Sequence, residues 1–240
     1  MEEIKLIKDI CNECQFLIDD GYQYSIIEGI ISYKKEIGEE GYELSLRYFE
    51  WTNSFYRIDA FVAKKRFNVI EQKIQNILKG EFENYFTIYI LPTLNDIPFV
   101  EHKIYDNHIE FIVKNSNDIE KVIQFFKSFY YQTAVPFFEK YNNIEVVDRQ
   151  LQNLMETKKI QSLLTDSGGN SAILRYYTIG LMCNNQFVIN FFENTYYPHI
   201  SQQKDKLSIV EYNHLIELKN IIQWVMFQTW GNVSNVALKN

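Results

Sequence analysis

The sequence predicts an α+β fold: an antiparallel sheet of five or six strands within residues 1–115, packed with an all-helical part over 116–240. Three observations lead there. Apolar residues recur at every second position through much of 24–62 and at every third or fourth position after about 117. Short polar or Gly-containing turns separate the alternating runs, as in a meander. No long polar linker divides the chain of 240 residues, so one unit or two tightly docked lobes are expected.

The elements follow in order. Residues 2–18 have helical spacing, with Ile4, Ile7, Cys11, Cys14 and Ile18 on one face and Ile10 and Leu17 beside it; Gly21 suits a left-handed C-cap. Residues 24–35 alternate as a strand carrying Ile27, Gly29, Ile31 and Tyr33 on one side, and Gly38-Glu39-Glu40-Gly41 turns the chain. A second strand over 42–48 sets Tyr42, Leu44, Leu46 and Tyr48 against Glu43, Ser45 and Arg47, with a slip in the alternation expected at Phe49 and Trp51. After Thr52-Asn53-Ser54, a third strand places Tyr56, Ile58, Ala60 and Val62 on the core side and Phe55, Arg57, Asp59 and Phe61 opposite. A helix over 67–79 stops at Gly80, a strand over 85–91 ends at Pro92, and a hairpin over 99–105 and 108–114 turns at Asp106-Asn107. Helices are then expected from Ile119 to Phe129, from Pro136 as a first-turn residue, and from Asn143 as a cap. A helical hairpin over 171–183 and 186–197 meets at Asn184-Asn185, and a last helix covers 208–228.

Composition narrows the function. Lys plus Arg number 24 and Asp plus Glu 31, giving a net charge of −7, which repels nucleic acid and anionic lipid at long range. No nucleic-acid or membrane partner is therefore expected, and a protein partner, if charge steers it, is basic. The N-terminus lacks a basic segment followed by an apolar one, and three Cys make no disulfide scaffold, so a cytoplasmic location is expected. Aromatics are abundant, 17 Tyr, 18 Phe and 3 Trp, and supply a bulky core first and interface anchors second.

No motif names a reaction or a cofactor. Cys11-x-x-Cys14 falls in mid-helix on the apolar stripe with no strand before it, so core thiols are expected rather than a redox pair or zinc site. His102 and His108 flank the hairpin turn, without the helical pairing of a metalloprotease, and no metal centre is expected. The sharpest enzymatic alternative is Asp96 with Glu101-x-Lys103. Two carboxylates holding Mg²⁺ and a Lys beside the attacking water is the arrangement of metal-dependent nucleases. Against it, the Asp–Glu gap is short and spans Pro98. Ser167-Gly168-Gly169-Asn170-Ser171 lacks the Lys of a phosphate loop and is expected to be a joint. The remaining strand carboxylates Glu28, Glu50 and Asp59 are expected to pair with Arg47, Arg57 or Lys64. On the strand face opposite the core, Phe49, Trp51, Phe55 and Phe61 are expected to cluster around Arg57, the composition of a protein-binding hot spot.

The order of elements, together with Val135-Pro136-Phe137-Phe138-Glu139-Lys140-Tyr141, resembles a group of bacterial domains of unknown function, some encoded in toxin–immunity clusters. The resemblance implies a binding or inhibitory role and carries no catalytic residues with it. The leading expectation is a protein-binding module, with an immunity-type inhibitor of a toxin as its specific form.

Overall fold

The computed structural model describes residues 3–52, 55–78, 87–92, 103–105, 108–156 and 170–196, with the isolated positions 198 and 202. Contacts group Met1–Glu71 with Asn84–Asn142 in one unit, and Gln72–Glu83 with Asn143–Asn240 in another. The fold is α+β, as the two periodicities require, but the helices after residue 115 are divided between the units. Those over 116–140 share the core of the sheet.

In the first unit, the opening helix comes in two pieces, α1 (Glu3–Glu13) and α2 (Gln15–Asp19), broken at Cys14. The fully buried line is Leu6, Ile10, Cys14 and Leu17, with Cys11 and Ile18 half-buried along it. A Schellman pair closes α2: Gly21 N–H donates to the Ile18 carbonyl at 2.9 Å and Tyr22 N–H to the Leu17 carbonyl at 3.0 Å. Gly21 holds φ +89°, as that motif demands.

The expected single strand over 24–35 is a hairpin, β1 (Gln23–Ile27) and β2 (Ile30–Ile37). Its two turn residues, Glu28 and Gly29, have φ +48° and +78°, the signs of a type I′ turn. Glycine is required at the second position for a further reason. Its carbonyl accepts from Tyr48 N–H at 2.7 Å, and an added Cβ would stand 2.6 Å from the Tyr48 oxygen.

Next come β3 (Glu40–Thr52), β4 (Phe55–Phe67), α3 (Asn68–Leu78), whose residues from Gln72 onward are grouped with the second unit, and three short strands, β5 (Ile88–Ile90), β6 (Lys103–Tyr105) and β7 (His108–Val113). Among the described residues the strands form one antiparallel sheet in the order β1-β2-β3-β4-β7-β6, with β5 also paired to β4. Pairing of β3 with β4 shifts twice. One shift lies beside Trp51, as expected from the sequence. The other lies on β4, where Ser45 pairs with Val62 but Arg47 pairs with Asp59, leaving an extra residue at Ala60 with φ +53°.

That bulge inverts the second half of β4. Tyr56 and Ile58 face the core before it; Phe61, Ala63, Lys65 and Phe67 face the core after it. The helix α4 (Ser116–Phe129) covers this inner face together with α1 and α2, lodging Phe125, Phe126 and Phe129 in the core. Its N-terminus is a capping box of Asn115 and Asp118. A π-helical turn (Tyr130–Ala134) leads into α5 (Val135–Lys140), with Pro136 in the first turn as expected.

In the second unit, α6 (Ile144–Glu156) begins where Asn143 Oδ1 accepts from Val146 N–H at 3.0 Å. The expected helical hairpin is present as α7 (Asn170–Met182) and α8 (Gln186–Asn190), the latter running into a π-helical turn to Tyr196. Asn184 takes the left-handed bend at φ +53°, and Asn185 caps α8. The Asn185 amide also donates to Asp148 Oδ2 at 2.7 Å and Gln152 Oε1 at 3.1 Å, tying the hairpin to α6. The helix expected over 208–228 lies outside the described residues.

Candidate functional site

The outer face of the sheet is built from alternate residues of β3, β4 and β7. Pairing of Phe49 with Arg57 and of Arg57 with Ile112 fixes three strands side by side. Period-two alternation then puts Arg47 and Phe49 of β3, Phe55, Arg57 and Asp59 of β4, and Glu110 and Ile112 of β7 on one face.

Two buried carboxylates organise it. Asp59, about 2% exposed, accepts from Arg47 Nε at 2.8 Å and Arg47 Nη2 at 3.1 Å, a bidentate fork. It also lies 3.2 Å from Arg57 Nη2, which reaches Glu110 Oε2 at 2.7 Å. The hydrogen bonds to Asp59 push the Arg47 guanidinium up from its ordinary value. Both cations lie against the half-buried Phe49 ring, whose centroid is 5.7 Å from the Arg47 guanidinium carbon and 5.3 Å from that of Arg57. Lys114 Nζ stands 5.3 Å over the Phe55 ring, extending the aromatic–cation pattern.

Of the five residues expected to cluster there, the structure brings Phe49 and Arg57 into contact, and Phe55 shares their face two positions before Arg57. The side chain of Trp51 lies outside the described residues. Phe61 does not belong to this face: the Ala60 bulge turns it into the core, where its ring meets Phe125 at 4.8 Å and Phe111 at 5.7 Å. Arg47, absent from the expected cluster, joins it because strict alternation continues through Phe49. Arg47 and Phe49 are two residues apart in a strand, and that spacing was the available signal.

Asp96 and Glu101 lie outside the described residues, as do His102, His199 and His214. Lys103 opens β6 in register with Glu110, and only its backbone is described. Among the described residues no group of three or more His, Cys, Asp or Glu could hold a metal ion. Cys11 and Cys14 are core thiols beside Tyr33; burial pushes the Cys14 thiol up to about 12 and that of Cys183 up to about 11, far from a reactive thiolate. A cleft of about 610 Å³ between α1 and α4 is lined by Asp9, Glu13, Glu120 and Lys127 among amides and apolar groups, with no Cys or His. No described helix is long and apolar enough to cross a membrane. Comparison with family models, with curated proteins and with solved structures returned no match.

Proposed function

We propose that this chain is a protein-binding module that engages its partner through the Arg47–Phe49–Arg57 face of the sheet. The observation that carries the reading is the Phe49 ring held against two guanidiniums, each anchored on a buried carboxylate. Arg and aromatic side chains dominate binding hot spots, and anchors already fixed before contact lose little freedom on docking. Asp59 and Glu110 do the fixing here.

The face carries Arg47, Arg57 and Lys114 against Asp59 and Glu110, a local excess of positive charge in a chain of net −7. An immunity-type role toward a basic toxin draws support from the net charge through steering, and not from this patch.

The test pairs two variants. Partners captured from the native host by the wild-type chain are identified, and their affinities measured with the purified partner by calorimetry. R47A/F49A is expected to weaken binding about 30-fold or more, the loss of a hot-spot anchor pair, while keeping the fold. F61A is expected to lower stability by about 3–5 kcal/mol, because Phe61 is core. A partner bound equally by wild type and R47A/F49A refutes the proposal.

A further inference from the structure

One edge of the sheet ends in β1. Among the described residues nothing pairs with its outer side, since β1 is terminal in the strand order. Natural edges are blunted by charge, proline, a bulge or a covering segment. Gln23-Tyr24-Ser25-Ile26-Ile27 has no charge and no proline, and its register with β2 runs without a shift. Tyr24, Ile26 and Ile27 are 53%, 38% and 64% exposed.

The direction of its hydrogen bonds follows from the turn. A two-residue turn at Glu28-Gly29 makes Ile27 and Ile30 the closing hydrogen-bonded pair. Alternation then makes Ser25–Ser32 and Gln23–Lys34 bonded pairs as well. The amides and carbonyls of Tyr24 and Ile26 therefore point outward, at the open edge.

We propose that β1 is a self-association edge: two copies pair their β1 strands antiparallel about a two-fold axis at Ser25, continuing one sheet into the other. In that register Tyr24 of each copy faces Ile26 of the other, and each such pair exchanges both of its outward hydrogen bonds. The larger exposed side chain meets the smaller one twice, an aromatic–β-branched cross-strand match. No like-charged pair falls within the strand itself. A five-residue edge buries less than the ~1,200 Å² of a standard interface, so the dimer is reversible and concentration-dependent.

Two chains of net −7 repel at long range, so association through backbone bonds and apolar contact tightens as salt rises. Sedimentation equilibrium at low and high salt is expected to show a monomer–dimer equilibrium with that dependence. I26K is expected to weaken it at least tenfold. I37K, which places the same charge at another exposed apolar site (54% exposed) off the β1 edge, is expected to leave it unchanged. Residue-resolved amide exchange reads the geometry directly. Tyr24 and Ile26 amides gain protection as concentration rises, while the Ser25 amide is protected in dilute and concentrated samples alike. A strictly monomeric chain, a dimer weakened equally by I37K, a dimer indifferent to I26K, or a monomer whose β1 takes an extended peptide of another protein each overturns the proposal.

Discussion

Lys65 is the most exacting test of how this core is held together. The bulge at Ala60 sends it inward, where its side chain is about 1% exposed. Its ammonium lies 2.7 Å from Glu40 Oε2 and 3.4 Å from both Tyr42 Oη and the Phe138 carbonyl. The Tyr42 and Phe67 rings face it at 4.8 and 5.2 Å. Tyr42 Oη also donates to Glu40, and burial with that bond pushes the Tyr42 phenol well above its ordinary range. Replacing Glu40 with Gln keeps shape and hydrogen-bonding reach but strands a cation. Breaking a fully buried pair costs about 3–5 kcal/mol. Here Glu40 is 24% exposed and two ring faces remain, so about 2–3 kcal/mol is expected. K65M instead removes the buried charge and leaves Glu40 at the edge of solvent, at a cost within about 1 kcal/mol. Urea unfolding at neutral pH, followed by circular dichroism, checks this asymmetry: the E40Q midpoint falls by about 1 M and that of K65M far less. A K65M variant less stable than E40Q refutes the account of Lys65 as a compensated buried cation.

Two further outcomes follow from local geometry. G29A places a Cβ at φ +78° and 2.6 Å from the Tyr48 oxygen, and is expected to lose about 2–3 kcal/mol in urea unfolding; G38A, at φ +58° with nothing within 4 Å, is expected to lose only about 1 kcal/mol. Burial raises the Asp148 carboxyl above the ordinary 3.8, while the Asn185 amide partly lowers it. The folded state thus holds this proton more tightly than the unfolded state, so stability falls as pH rises from about 3.8 through the folded value. D148N removes that penalty: its melting temperature is expected to exceed wild type at neutral pH, and the gap to close as pH drops toward 4. A gap that widens on acidification contradicts the assignment.

Much of the fold was legible because local chemistry and global packing agree. Asn143, Pro136, Asn185 and Gly21 each stand at a helix end for reasons contained in the residue itself: a side-chain acceptor, a fixed φ, or freedom at positive φ. The β3 alternation survives unchanged because Tyr42, Leu44, Leu46 and Tyr48 all reach one core. The hairpin at Glu28-Gly29 was missed for a different reason. Ile27, Gly29, Ile31 and Tyr33 keep period two straight through the turn, and Glu-Gly is a weaker turn signal than Asn-Gly or Asp-Gly. Only the close approach of Tyr48 to Gly29 distinguishes turn from strand, and that contact is 19 positions away in sequence.

The same kind of long-range decision defines the candidate site. Tyr56, Ile58, Ala60 and Val62 are a faultless alternating set, and nothing local to them demands a bulge. Inserting one at Ala60 buries Phe61 against Phe125 instead of leaving it beside Arg57, and the gain lies in burying an aromatic ring rather than a methyl group. Asp59 stops at the bulge on the outer face, in reach of Arg47 and Arg57 together. One extra residue in β4 thus separates the phenylalanine that stabilises the core from the arginines and Phe49 that form the outer patch. Sequence periodicity locates the strand, but the competition for core volume decides which side each residue occupies.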